Sequence, residues 1–420
     1  MTNTEKLPVI KPDFETKAKI CEAVRNDSVP VIVLKTGKTG KGEGCPFACM
    51  YCDTDNKNGG YWLEFDEAHF RTMISNWANQ GGKIMHWCGD GEPTIFKWFD
   101  TILDLAKEKG FKLELFSNLA GLTPSRARKL TEIGTTVKFK MDSRNPVTMG
   151  EILTNNGKSG NAAKTGQALF DNIDMLISAR NKYENKSQLI ASIVMSEKNK
   201  NDLPAVLDWC CKFNVVPQIN YMEQIGAVIE TGIEPLTKRE TEDINRWLKI
   251  KYDLIDPKQI MGDHQCEAKA APIIIGNKVY LASFGMGCEF VLREHIGELN
   301  FIGEYQNDPM ELMKDIKKFR FSEQNLNDIC DELEKIRDKK GIYSKTGTDK
   351  ILPGCGDDIE EVWFLEYVAT IFTSDEYFTN FINNWVLTGK HRKWTKEETQ
   401  DLFWEVTDNF ICFSRSKLRN

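Results

Sequence analysis

A chain of 420 residues, 41% hydrophobic and 28% charged, is long enough for two or three domains with full cores and too apolar to be disordered. Its net charge of −7 argues against a nucleic-acid partner, and no apolar run approaches the ~20 residues of a bilayer span, so no membrane partner is expected. The start, MTNTEKLPVIKPDF, has neither a signal-peptide core nor a lipidation motif, which makes the cytoplasm the expected compartment; in that reducing setting twelve cysteines point to metal or redox chemistry rather than to disulfides.

Along the chain, short apolar runs alternate with helical patterns. Strands are expected at 29–35, 83–89, 112–118, 136–142, 189–195 and 216–223, where runs such as VPVIVLK and LIASIVM concentrate β-branched residues. Between them, helices are expected at 64–80, 95–109, 162–183 and 201–213, with apolar residues at helical spacing. A further helix opens at Thr123, an N-cap before Pro124, and closes at Gly134. Parallel neighbours require crossovers, so this rhythm predicts an α/β fold, either an open partial (β/α)6 barrel or a doubly wound sheet, with ligands at the carboxyl ends of the strands. From about residue 226 the alternation stops. The expected organisation is a leader at 1–28, the β/α domain at 29–225, a linker and polar helix at 226–258, a smaller cysteine-bearing domain at 259–356, and an aromatic-rich helical tail at 357–420.

The first strand runs into KTGKGEGCPFACMYCD, residues 38–53. This is not a phosphate loop, because Gly37 and Gly42 are followed by Glu43 where a lysine is needed. Cys45, Cys49 and Cys52 form C-x3-C-x2-C. Three structural thiols are one reading, but a closed zinc site needs a fourth ligand from elsewhere, whereas three thiolates on one loop can hold three irons of a cubane cluster and leave the fourth open.

CPFACMYCD resembles the signature loop of the radical S-adenosylmethionine (radical SAM) superfamily, and the β/α units over about 30–225 resemble its partial barrel. The resemblance implies a [4Fe-4S] cluster on Cys45, Cys49 and Cys52 with S-adenosylmethionine as second cofactor. WCGDGEPTIF, 87–96, is similar to the second motif and implies that Gly89, Asp90, Gly91 and Glu92 face the methionine amino group. Ser117 and Asn118 after the third strand, Lys140, Asp142 and Ser143 after the fourth, and Ser192 (with Ser196) on the fifth are implied contacts of the ribose or carboxylate. Tyr51 corresponds to an aromatic near the adenine. The implied activity is reductive SAM cleavage followed by hydrogen abstraction, with flavodoxin or ferredoxin as electron donor.

Cys266, Cys288, Cys330 and Cys355 could hold a second, auxiliary [4Fe-4S] cluster. CEAKAAPIIIGNKVYLASFGMGC resembles the start of a SPASM or twitch extension, although Leu281 stands where that pattern has a cysteine, which makes Cys288 the replacement ligand. A zinc site on the same four thiolates and unliganded buried cysteines are the competing readings. Cys21, Cys88, Cys210, Cys211 and Cys412 read as structural. The resemblance implies an oxidoreductase or modifying enzyme that oxidises or cross-links a peptide or protein side chain, or modifies a small natural product such as a carbohydrate. An RNA-modifying relative and a zinc-stabilised, non-catalytic binding protein are the alternatives.

Overall fold

The computed structural model describes residues 7–8, 29, 31–36, 44–52, 66–89, 91–158, 160–183, 187–222 and 231–252, with three strand segments beyond them. The chain divides into two compact units, one made of 1–12, 34–79 and 83–263, the other of 13–33, 80–82 and 264–420.

The β/α region carries six strands, β1 (Val31–Thr36), β2 (Ile84–Gly89), β3 (Lys112–Ser117), β4 (Thr136–Lys140), β5 (Leu189–Met195) and β6 (Val216–Tyr221), ordered in the sheet as in the chain. The pairs β2–β3, β3–β4, β4–β5 and β5–β6 are all parallel. The order ends at β6 without returning to β1, so this is the open partial barrel of the α/β expectation.

Residues alternate between the two faces of each strand. One face is apolar and lies under helices: Trp87 packs 5.3 Å from Phe99 of α2 (Phe99–Lys109), and Phe139 lies 6.4 Å from Trp209 of α6 (Leu203–Phe213). The other face, which is the concave one, carries His86, Glu114, Phe116, Lys138, Lys140, Ser192, Gln218 and Asn220 in register. Polar side chains on a sheet interior are costly unless paired or solvated, which marks the concave face as the functional one.

Helices α1 (Glu67–Asn79), α3 (Pro124–Glu132) and α5 (Ala162–Lys182) lie where the periodicity puts them, with ends shifted by at most three residues. Thr123 caps α3 by accepting from the Arg126 N–H, with Pro124 in the first turn. The run expected as one helix over 95–109 begins instead with a 3-10 turn at Pro93–Ile95 before α2 starts. An additional helix, α4 (Pro146–Leu153), has no counterpart in the sequence expectation. Asn145 caps it, accepting from Val147 N at 2.9 Å. Its close approach to α5 needs glycine on both sides: a Cβ on Gly150 would sit 1.6 Å from Ala162 O, and one on Gly166 2.0 Å from Pro146 O.

The polar helix, α7 (Lys238–Tyr252), opens with a reciprocal cap in which Thr237 N donates to Glu240 Oε2 at 3.0 Å and Glu240 N to Thr237 Oγ1 at 3.3 Å. It packs on the barrel through buried Leu248 and through Tyr221 Oη, which donates to Asn245 at 2.6 Å.

In the second unit, β7 (Pro272–Ile275) and β8 (Lys278–Leu281) pair antiparallel, and β9 (Phe301–Glu304) pairs antiparallel to β8 with a register shift between Val279 and Tyr280. Cys266, Cys288, Cys330 and Cys355, and the tail at 357–420, lie outside the described residues, as do Cys21 and Cys412. Among the described residues no helix is long and apolar enough to cross a membrane.

Candidate functional site

The cysteine segment is fixed by backbone hydrogen bonds to α4: Ala48 N donates to Leu153 O at 2.9 Å and Met50 N to Ile152 O at 3.0 Å. The last carbonyls of a helix have no partner within it, so the cluster loop satisfies groups that α4 would otherwise leave open. Met50 anchors the same segment by packing with Met222 and Ile233, and its carbonyl accepts from Thr231 Oγ1 at 2.8 Å. Cys49 is buried, and Cys45 and Cys52 are half-buried.

Tyr51 stands between Cys49 and Cys52 in the sequence. Its hydroxyl donates to Asp142 Oδ2, Lys140 Nζ lies 3.3 Å from the hydroxyl oxygen, and the same ammonium stands 4.3 Å from the ring centroid. Asp142 also accepts from Val194 N at 2.7 Å, while Asn199 Nδ2 donates to its backbone carbonyl at 2.8 Å. Tyr51, Lys140 and Asp142 are thus brought together, and they tie the cysteine segment to the ends of β4 and β5.

Glu92 is buried and turns inward. Its Oε1 accepts from Thr94 N at 2.9 Å and from the hydroxyls of Thr94 and Ser117, and its Oε2 accepts from Asn118 N at 2.7 Å. The turn after β2 is thereby fastened to the end of β3, leaving little of the carboxylate for a ligand. The Asn118 side chain points the other way, its Nδ2 3.2 Å from Cys45 Sγ.

Ser143 is engaged elsewhere: its hydroxyl donates to Asp202 and accepts from Asn145 N at 2.9 Å. Ser192 accepts from Asn220 Nδ2 at 3.3 Å, and Ser196 pairs with Asn199. Gly89 ends β2 and Gly91 is half-buried, while Asp90 lies outside the described residues. Cys88 is in β2 and Cys210 and Cys211 are on α6, remote in sequence from the triad. Thr94, Thr231 and Asn199 are the polar anchors that sequence reasoning missed. Their partners lie in other elements, so only a three-dimensional arrangement identifies them.

Burial governs the electrostatics. It pushes Cys45 up to about 11 and Cys49 up to about 12, so without a bound metal both are neutral thiols at physiological pH. Burial also pushes Tyr51 well above its usual range, with the Asp142 charge adding to it. It would pull Lys140 down, but the charges that Cys49, Asp142, Cys52 and Cys45 carry when ionised outweigh it and hold the ammonium above its ordinary value. Asp142 is raised by burial against the opposing pull of Lys140, Tyr51 and the Val194 N–H.

A thiol-ligated cluster fits this donor set. Three sulfurs lie on one short segment, an amide N–H reaches one of them, and a cation stands nearby to offset the charge that appears when metal displaces the thiol protons. Among the described residues no three His, Cys, Asp or Glu side chains are placed to hold a single metal ion. A cubane takes each thiolate to a different iron and does not require that placement.

Comparison with known proteins accords with the site. Residues 41–210 match the family model described as the Radical SAM superfamily. A curated relative, the tungsten-containing aldehyde ferredoxin oxidoreductase cofactor-modifying protein of Pyrococcus furiosus, is 26% identical over 168 residues, 39% of this chain. The alignment spans 41% of that relative, less than half its length. Among solved structures, Streptococcus suis SuiB bound to precursor peptide SuiA is 13% identical with a TM-score of 0.43, over 70% of this chain and 66% of that one. Native anSMEcpe with bound AdoMet is 13% identical with a TM-score of 0.46, over 84% of this chain and 99% of that one. The segment similar to that superfamily takes in the cysteine triad and the ends of β2 to β5.

Proposed function

We propose that this chain is a radical SAM enzyme in which Cys45, Cys49 and Cys52 hold a [4Fe-4S] cluster and S-adenosylmethionine binds beside it. The observation that carries the reading is the placement of three cysteines on one segment, pinned by α4 and met by the Asn118 amide at the carboxyl end of β3. When bound, the cluster and SAM would supply one-electron reduction and the means to take a hydrogen atom from an unreactive carbon.

The chain's own residues hold and shield that chemistry. Burial of Met50 against Met222 and Ile233 keeps water from one side of the triad. Asn118 donates to Cys45, and Lys140 offsets thiolate charge while Tyr51 and Asp142 fix its position. Glu92 holds the turn at 89–92 through Thr94, Ser117 and Asn118, so the backbone of that turn, rather than the carboxylate, is the group available to a methionine ammonium.

Cys266, Cys288, Cys330 and Cys355 are proposed as ligands of an auxiliary cluster that accepts an electron from a product radical, which makes the net reaction an oxidation. The substrate is a peptide or protein side chain or a small natural product, and the cofactor-modifying relative from Pyrococcus furiosus adds small-molecule cofactors to the compounds worth testing. A flavodoxin or ferredoxin is the proposed electron donor.

The test is iron and sulfide per chain after anaerobic purification and reconstitution. About eight irons is expected for two cubanes, and about four would remove the auxiliary cluster from the proposal. Zinc in place of iron would overturn the enzyme reading. Cys49→Ala is expected to abolish 5′-deoxyadenosine formation, whereas Cys330→Ala should retain SAM cleavage and lose product.

A further inference from the structure

Three large apolar residues among those described are exposed: Phe116, Val147 and Ile250. Val147 and Ile250 lie on helices, where an exposed apolar side chain is ordinary. Phe116 is different. It is on β3, flanked by β2 and β4 in a parallel sheet, where both faces are normally covered, yet it is 36% exposed. Its neighbour Leu115 faces the helices and is fully buried, so the exposed ring belongs to the concave face.

The position of that ring is set by register. Two residues further along the same face, Asn118 reaches Cys45. With a rise of roughly 3.3 Å per residue, the ring lies about 7 Å along the strand from the residue that touches the triad. Hydrogen transfer needs contact between the reacting atoms, so whatever is to be attacked must occupy the space that Phe116 borders. Lys138, opposite Phe116 on β4, holds its ammonium 4.5 Å from the ring centroid and fixes the ring in place. Toward β5 and β6 the same face becomes uncharged and hydrogen-bonding, with Ser192 opposite Gln218 and Asn220 one step beyond, its amide 3.3 Å from Ser192 Oγ.

We propose that Phe116, Ser192 and Asn220 form the substrate-binding surface, and that they take an amide-linked segment bearing an aromatic or other flat apolar side chain. An exposed, braced ring gains from covering by a flat apolar group, and carboxamide and hydroxyl groups match the donors and acceptors of a peptide bond without demanding a charge. This assignment rests on the radical SAM reading and narrows its substrate to peptide-like chemistry.

The reconstituted full-length protein is to be titrated with N-acetylphenylalaninamide, N-acetylglycinamide and 3-phenylpropionate, binding being followed by saturation-transfer NMR. The phenylalaninamide should bind about tenfold more tightly than the glycinamide, which lacks the side chain. Phe116→Ala should abolish that preference, and Phe116→Leu, which keeps apolar bulk without the flat ring, should reduce it. Equal binding of the two amides, binding of neither, or an unchanged preference in both variants would overturn the assignment. Tighter binding of the phenylpropionate would also overturn it, in favour of a carboxylate drawn by Lys138 and Lys140. Formation of 5′-deoxyadenosine by the unaltered protein reports on the underlying reading separately. Its absence alongside an intact amide preference would sink the radical chemistry and support the binding surface.

Discussion

Asn118 links two parts of the site that are far apart in sequence: its side-chain amide donates to Cys45 Sγ at 3.2 Å, and its backbone N–H donates to Glu92 Oε2 at 2.7 Å. The turn after β2 and the cysteine segment therefore take their relative position from one residue at the end of β3. Asn118→Ala removes the hydrogen bond to sulfur while leaving the backbone donor. Hydrogen bonds to ligating sulfurs raise the reduction potential of a cluster, so the variant should show a lower midpoint potential by EPR-monitored titration. Loss of such an outer partner typically costs about 10–100-fold in activity or metal affinity, and 5′-deoxyadenosine formation should fall by that order. An unchanged potential would mean that the side-chain amide serves only its local bond from Ala120 N, which Oδ1 accepts at 3.0 Å.

Tyr51 bears on stability as much as on cofactor binding. Its hydroxyl supplies a donor to Asp142, a buried carboxylate that also accepts from Val194 N. Tyr51→Phe keeps the ring beneath the Lys140 ammonium and removes the donor to Asp142 together with the oxygen that accepts from Lys140 Nζ. A buried acceptor left without a partner costs about 1–3 kcal/mol, and chemical denaturation should show a loss of that size. Asp142→Asn together with Tyr51→Phe should recover part of it, because the carboxylate charge is then gone. A double variant no more stable than the single would place the effect elsewhere.

The six strands could be read directly from runs of β-branched and apolar residues, and α3 could be placed from Thr123 and Pro124 because cap and first turn are local signals. The grouping of Cys45, Cys49 and Cys52, proposed as cluster ligands, is visible for the same reason, since their spacing lies within eight residues. What escaped depends on distant partners. The hydrogen bond that Glu92 accepts from Ser117 joins residues twenty-five positions apart, which no local pattern signals. Ser143 reads as a strand-end hydroxyl until Asp202 is brought against it. The helix α4 was hidden by its length of eight residues and by Gly150, although Asn145 before Pro146 was an N-cap signal as good as the one at Thr123.

That hidden helix makes a sharp prediction. The carbonyls of Ile152 and Leu153 hold the cysteine segment, and α4 keeps its place against α5 because neither Gly150 nor Gly166 has a side chain. Gly150→Ala would put a carbon 1.6 Å from the Ala162 carbonyl oxygen, which neither backbone can tolerate without moving. Overpacking of this kind costs about 1–3 kcal/mol even though alanine is the better helix former. The displacement should carry Ala48 and Met50 with it, so iron incorporation should fall more than the loss of stability alone would require. Iron per folded chain, measured beside the denaturation midpoint, separates the two effects.

Glu114 predicts the acid limit of the fold. It is buried on β3 with Oε2 3.1 Å from His86 Nδ1 on β2 and Oε1 3.3 Å from Lys112 Nζ. Burial pushes its carboxyl up, but the hydrogen bond and charge of His86, with Lys112 and Lys138, outweigh that and lower it from 4.5 to about 2. A carboxylate whose pKa is depressed on folding stabilises the native state fully above the unfolded value, and the contribution disappears as pH falls towards the folded one. The window is therefore pH 4.5 down to about 2, and the contribution at neutral pH is about 3 kcal/mol. Glu114→Gln should lower stability at pH 7 and flatten its fall between pH 5 and 3, as followed by urea denaturation at each pH. A variant that loses stability equally at pH 7 and pH 3 would assign the cost to packing around His86 and not to charge.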